Sequence, residues 1–312
     1  MEDFPRTLVE FEQRFATEEA CRVYLAQLRW PEGVICPRCQ GRTGWAARRH
    51  VWVCAGCGFE VSVTAGTIFH DTRLPLTLWF RAIWWVTSQK TGASALGLQR
   101  VLGLGSYRTA WTWLHKLRRA MVRPGRDRLT GRVEVDETYL GGERPGKRGR
   151  VAAGKVLIVV AAQEEGEGIG RIRRRRIADA SAASLHPFVT DAIAPGSVVH
   201  TDGWEGYRGL DQQGYLHEIT IRKRAASELL PRVHRVVALL KRWLMGTHQG
   251  AVSPEHLDYY LDEFTFRFNR RTSRSRGKLF YRLVQQAVAV DPVPYAAMVR
   301  YTRGGKPRDH KI

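Results

Sequence analysis

The chain contains no run of about 18 apolar residues, so no segment is expected to span a bilayer. Its opening stretch, Met1 to Phe15, is acidic and mixed and lacks an apolar signal core, which points to a cytoplasmic protein. Cysteine is scarce, with five in all, and an odd count in that compartment argues against a disulfide framework. Internal repeats and low-complexity tracts are absent. Acidic residues are also in short supply: 30 Asp and Glu face 50 Lys and Arg, a formal charge of +20. Such a charge attracts polyanions over long range, whether DNA, RNA or an anionic membrane surface. A hydrophobic content of 44% excludes wholesale disorder, and 312 residues suffice for two or three compact domains.

Four segments can be separated. Residues 1–30 read as a short amphipathic helical lead, in which Cys21 sits as a small buried hydrophobe among Phe15, Val23, Tyr24 and Leu28. Residues 31–70 carry the other cysteines between β-like runs at 51–53 and 59–63. Residues 72–122 read as helical with two glycine-marked breaks, followed by a hinge at 123–126. From Leu129 the pattern turns to strands at 133–140, 156–162 and 170–178, then a helix at 182–193 and a strand at 197–201. The remainder reads as mainly helical, near 231–245 and 253–268. The expected domains are 1–70, 71–125 and 126–312.

The clustered cysteines form Cys36-Pro37-Arg38-Cys39 and Cys54-Ala55-Gly56-Cys57, with 14 residues between the pairs. Two such knuckles are the signature of one tetrahedral Zn²⁺ held by Cys36, Cys39, Cys54 and Cys57. Four thiolates leave no open position, so the zinc is expected to be structural. Gly41, Gly56 and Gly58 supply small residues beside the knuckles. Such a ribbon commonly contacts nucleic acid or protein.

Trp79, Phe80, Ile83 and Trp84 line one side of an apolar helix. After Thr91-Gly92 comes a second helical stretch, broken by Gly103-Leu104-Gly105, and Ser106 is a plausible N-cap for a third. Helix, glycine turn, helix is the helix-turn-helix arrangement. The last helix carries Arg108, Lys116, Arg118 and Arg119 opposite Ala110, Trp113, Leu114 and Leu117, a face suited to a major groove.

In Val133-Glu134-Val135-Asp136-Glu137-Thr138, period-two alternation sets Glu134, Asp136 and Thr138 on one face and Val133, Val135 and Glu137 on the other. An Asp inside a strand is unfavourable unless its charge is used. A second apolar strand, Ser197 to Thr201, runs straight into Asp202-Gly203. Carboxylates from two strands can converge on hard cations, and two Mg²⁺ ions can clamp a phosphodiester. Two basic runs remain. Arg171 to Arg176 lies on an expected strand, so its arginines point to both faces and must meet phosphate or acidic neighbours. Residues 267–282 hold seven Lys and Arg among aromatics, suited to a DNA backbone track or to a solvated surface.

Taken together, the Cys36–Cys57 pairs, VEVDETYLGG at 133–142, VHTDGWEGY at 199–207, LLKRWLMG at 239–246 and YLDEFTFRFNRR at 260–271 resemble the zinc-ribbon DDE transposases of bacterial insertion sequences, a group related to the Merlin elements. The resemblance spans nearly the whole chain. It implies an RNase H-like α/β core with a mixed sheet, preceded by the zinc ribbon and the helical segment. It implies cleavage and strand transfer at element ends, with Asp136 and Asp202 as ligands for Mg²⁺ or Mn²⁺. The family's third residue, usually Glu or Asn, stands seven residues before the Lys of the Leu-Lys-Arg motif, here Lys241. That position is His234, a departure from the pattern, and Glu228 is the nearest upstream carboxylate. The implied partners are double-stranded DNA, as terminal inverted repeats and target, and further copies of the chain in a dimer or larger assembly. An inactive zinc-ribbon DNA-binding protein and an RNase H-fold nuclease are the alternatives.

Overall fold

The computed structural model describes residues 2–123, 125–141, 155–221 and 229–299. The chain forms two compact units: residues 1–123 together with those from 273 onward, and residues 124–272.

In the first unit the helical lead is two helices, α1 (Leu8–Arg14) and α2 (Glu18–Arg29). The break between them is a cap: the Thr17 hydroxyl accepts the Ala20 N–H at 3.2 Å. Cys21 is fully buried, and burial pushes its thiol up to about 12. An antiparallel three-stranded ribbon follows, β1 (Gly44–Ala47), β2 (Val51–Cys54) and β3 (Glu60–Ser62). Then come α3 (Leu76–Ser88), α4 (Ala95–Leu102) and α5 (Tyr107–Ala120). Gly103, at φ +61°, closes α4 in the left-handed conformation. Ser106 caps α5 by accepting the Thr109 N–H at 3.1 Å. Trp79 of α3 stacks on Trp113 of α5 with ring centroids 3.8 Å apart.

The second unit holds a five-stranded sheet of β4 (Arg132–Leu140), β5 (Val156–Glu165), β6 (Gly168–Ile177), β7 (Val198–Thr201) and β8 (Leu216–Ile219). Its order is β6-β5-β4-β7-β8. The first three strands pair antiparallel, and β4–β7 and β7–β8 pair parallel. This mixed sheet, with a helix crossing between β6 and β7, is the RNase H-like arrangement. Val133 and Val135 face the crossing helix α6 (Ala182–Ala192), with Leu185, Phe188 and Val189. The other face packs Ile158, Val160 and Ala162 against α7 (Pro231–Thr247) and α8 (Leu257–Phe268). One edge of the sheet is closed by α8: the Asn269 side chain accepts the Ile172 N–H at 2.7 Å and donates to the Ile172 carbonyl at 3.2 Å. A side-chain amide that imitates a neighbouring strand protects an edge from pairing with another chain.

The chain then returns to the first unit through α9 (Arg276–Ala287) and α10 (Tyr295–Val299). This differs from the expected extent of the catalytic domain, 126–312. The reason is aromatic packing: Phe280 of α9 lies 5.3 to 6.3 Å, centroid to centroid, from Phe11, Phe15, Tyr24, Phe80 and Trp84. Among the described residues no helix is long and apolar enough to cross a membrane.

Candidate active site and zinc ribbon

The two knuckles share one geometry. Gln40 N–H bonds the Cys36 carbonyl and Gly58 N–H the Cys54 carbonyl, each at 2.9 Å. Both closing residues are left-handed, Gln40 at φ +61° and Gly58 at +68°. These turns bring the four sulfurs together, with Cys36 Sγ 3.6 Å from Cys57 Sγ and Cys39 Sγ 3.5 Å from Cys54 Sγ. Zn–S bonds of 2.3 Å at tetrahedral angles require about 3.8 Å between sulfurs, so the set fits zinc without rearrangement. Burial opposes ionisation of Cys36, but the Cys39 and Arg38 N–H groups outweigh it and draw the thiol down to about 7. The Gly41 N–H favours the Cys39 thiolate, but the thiols of Cys57 and Cys54 push it up to about 12. A dication resolves this conflict by accepting all four thiolates. A Cβ on Gly41 would stand 3.3 Å from the Cys39 sulfur, so the position favours glycine.

In the second unit, alternation along β4 follows the expected faces. Glu134 and Asp136 lie towards α7, and Glu137 lies on the opposite face, where its Oε2 accepts the Tyr207 hydroxyl at 2.9 Å. The parallel register pairs Glu134 with His200. Asp202 follows directly on β7, near enough for its charge to act on Asp136. Asp202 forms a tight turn, its Oδ1 accepting the Trp204 N–H at 3.0 Å. Gly203 is required there, at φ +82°, because a Cβ would fall 2.7 Å from Ile219.

His234, in the first turn of α7, places its Nε2 3.2 Å from Asp136 Oδ2. Burial raises the Asp136 carboxyl; the His234 partner opposes this, and the neighbouring Asp202 charge adds to it. The anion is thus held at a cost that a cation would relieve. Asp136, Asp202 and His234 come from the middle of a strand, the end of a neighbouring strand and a helix. His234 touches Asp136 and the Asp202 charge acts on the same carboxyl, but the ligand atoms of the three do not all lie within 4.8 Å of one another. Glu228 lies outside the described residues.

A second acidic group was not singled out from the sequence. Glu134, Glu164 and His200 bring potential ligand atoms within 4.8 Å of one another. Two guanidiniums already fill it: Arg132 reaches Glu164 at 3.0 Å and His200 at 3.2 Å, and Arg232 reaches Glu134 and Glu164 at 3.2 Å each. With cations in place this is an ion-pair network, not a vacancy for metal.

The basic runs find internal partners. On β6, Arg174 pairs with Asp262, Arg175 with Asp191 at 2.6 Å and Arg171 with Asp127 at 3.6 Å. Arg173 donates to the Ile172 carbonyl at 2.9 Å, and Arg176 to that of Pro254 at 3.0 Å. In the 267–282 run, Arg267 pairs with Glu263 at 2.7 Å and Lys278 with Glu2 at 3.4 Å; Arg270 and Arg271 lie over Phe266 and Phe268. Arg274 and Arg276 remain exposed. The basic face expected on α5 is also reduced: Arg118 is 2% exposed and Lys116 is half-buried, leaving Tyr107 and Arg108 at the N-terminal end on the surface.

Residues 128–269 match the ISXO2-like transposase domain, and residues 16–60 match the transposase zinc-ribbon domain. The chain belongs with the zinc-ribbon, DDE-type transposases of insertion sequences. It is also 28% identical over 291 residues to an uncharacterized protein in the transposable element ISH50 of Halobacterium salinarum, across 85% of this chain and 94% of that one. The transposase-domain match ends within the second unit, in keeping with the return of the chain to the first unit after residue 272.

Proposed function

We propose that this transposase binds the ends of its insertion sequence, cuts them in a metal-dependent reaction and joins the freed 3′-hydroxyls to target DNA. The observation that carries the reading is the His234–Asp136 contact at the central strand of an RNase H-like sheet, with the Asp136 carboxyl raised by burial and by the charge of Asp202. Asp136 and Asp202 offer the oxygen ligands that Mg²⁺ or Mn²⁺ prefers. Bound there, such ions supply activation of water and charge neutralisation at the leaving oxygen. His234 holds the Asp136 carboxylate in place and is available, through its imidazole, to complete the ligand set or to carry a proton at the scissile phosphate.

Cys36, Cys39, Cys54 and Cys57 hold one structural zinc in this reading. The ribbon and the exposed N-terminal end of α5 contact double-stranded DNA, and two or more chains assemble to hold both ends. Alanine replacements at Asp136 and Asp202 test the site. Each is expected to abolish cleavage while end binding stays nearly intact, because each removes a metal ligand and not a phosphate contact. Joining at the wild-type rate by either variant would refute the assignment.

A further inference from the structure

Glu134 shares a face of β4 with Asp136, two residues away, yet its environment is different. Its side chain is 1% exposed. Its Oε2 accepts two backbone N–H groups, from Arg232 at 2.8 Å and Val233 at 2.9 Å, and its Oε1 accepts the Arg232 guanidinium at 3.2 Å. Those two N–H groups belong to the first turn of α7. The helix has no cap of its own: Leu230 stands at the N-cap without a side-chain acceptor, and Pro231 has no N–H to offer. The next N–H, that of His234, already bonds the Leu230 carbonyl at 3.0 Å. A strand carboxylate therefore does what a Ser or Asp at the N-cap ordinarily does, and its charge suits the positive end of the helix.

Arg232 extends the anchorage. It reaches Glu164 on β5 at 3.2 Å, the carbonyl of Gly166 in the β5–β6 turn at 3.2 Å and that of Gly168 at the start of β6 at 3.1 Å. The apolar residues Val233, Val236, Leu240 and Leu244 fasten α7 to the sheet along its length. Non-directional packing of that kind leaves the advance and rotation of the first turn to be set by hydrogen bonds. His234 follows directly on the two residues that Glu134 holds.

We propose that Glu134 is a positioning residue: by capping α7 from the strand that carries Asp136, it fixes His234 against that aspartate. The inference rests on the reading of His234 as the third member of the site. It also explains why a carboxylate two residues from a metal ligand, on the same face, is not itself a ligand: hydrogen-bond donors occupy both of its oxygens.

The test uses the full chain with Glu134→Gln, His234→Ala and the double variant. Glutamine keeps the shape but turns an N–H₂ group towards a donor. Glu134→Gln is expected to slow cleavage by roughly ten- to a hundredfold at saturating DNA, the scale of an ångström-sized misplacement, with end affinity within about twofold. Amide hydrogen exchange in the peptide covering 229–236 is expected to accelerate about tenfold while the β4 and β5 peptides stay protected. In the His234→Ala background, Glu134→Gln should add less than about a twofold further loss, since coupled residues are not additive. Equal losses in both backgrounds, or unchanged exchange at 229–236, would overturn the proposal. A slow His234→Ala beside a fully active Glu134→Gln overturns Glu134 alone and leaves the reading of His234 standing. A His234→Ala enzyme of wild-type rate overturns both. Should Glu134→Gln fail to fold, Glu134→Asp keeps the charge, withdraws the acceptors by one methylene, and faces the same three measurements.

Discussion

The His234 imidazole lies 3.2 Å from the Asp136 carboxylate, joining the first turn of a helix to the middle of the central strand. The contact sets His234, the position where the family resemblance implies Glu or Asn, against Asp136. It also gives Asp136 a cationic or hydrogen-bonding partner while burial and Asp202 disfavour its charge.

Stability and activity are therefore expected to oppose each other at Asp136. A carboxyl whose folded-state pKa is raised binds protons more readily in the folded state. Its ionisation therefore costs stability as pH rises above 3.8. Asp136→Asn should raise Tm at pH 7 in chelator while abolishing cleavage. Mn²⁺ should then raise the Tm of the wild type but not of the variant. A lower Tm for Asp136→Asn at pH 7 contradicts this.

Protein purified without added zinc should contain about one Zn²⁺ per chain. Cys54→Ser should lose the metal and lower Tm, since the four thiols are close enough to conflict without it. Elemental analysis and thermal unfolding of the two proteins check both points. Unchanged zinc in Cys54→Ser would mean that the metal is bound elsewhere.

End binding should weaken steeply with salt as Lys and Arg contacts release counterions. The arginines of α5 should behave differently from one another. Arg108→Ala, at the exposed end, should lower affinity and reduce the salt slope by about one if it meets a phosphate. Arg118→Ala, at a buried position, should lower Tm and leave the slope of the folded fraction unchanged. Fluorescence anisotropy across a salt series separates them.

Gly277→Ala should destabilise the first unit, by about 1–3 kcal/mol or more. A Cβ there would lie 1.6 Å from the Pro5 carbonyl oxygen, a contact the backbone can relieve only by moving the N-terminal segment off α9. Denaturant unfolding measures the loss. A neutral substitution would mean that Pro5 is not seated as described.

The sequence made part of this legible. Alternation along 133–138 assigned both faces of β4 correctly, because one face is packed on α6 and cannot slip by a residue. The cysteine spacing pointed to the ribbon for the same kind of reason: few arrangements other than two facing knuckles use it. Strand β8 was not foreseen, since Leu216-His217-Glu218-Ile219 does not alternate and both its apolar ends are exposed. Helix α9 was grouped with the catalytic core by its place in the chain, and nothing local to Phe280 says that its partners are Phe11 and Phe80. Charge was the least informative signal. Arg174 and Arg175 were open to phosphate or to acidic neighbours, and only the fold supplies Asp262 and Asp191. Glu134 was recognised as sharing a face with Asp136, but a cap contributed by a distant strand leaves no trace in the sequence around Pro231.

The central claim is that Asp136, Asp202 and His234 form a metal-dependent site that cuts and joins DNA. Its most direct measurement incubates the full chain with duplexes made from the DNA flanking its coding sequence, in Mn²⁺, in Mg²⁺ and in chelator, and follows both new 3′-hydroxyl ends and joined products. The account predicts cleavage at terminal inverted repeats followed by joining with either ion, and neither in chelator nor with Asp136→Asn or Asp202→Asn. Ends that are bound but left intact with every divalent ion, or cut equally well by the two variants, would contradict it.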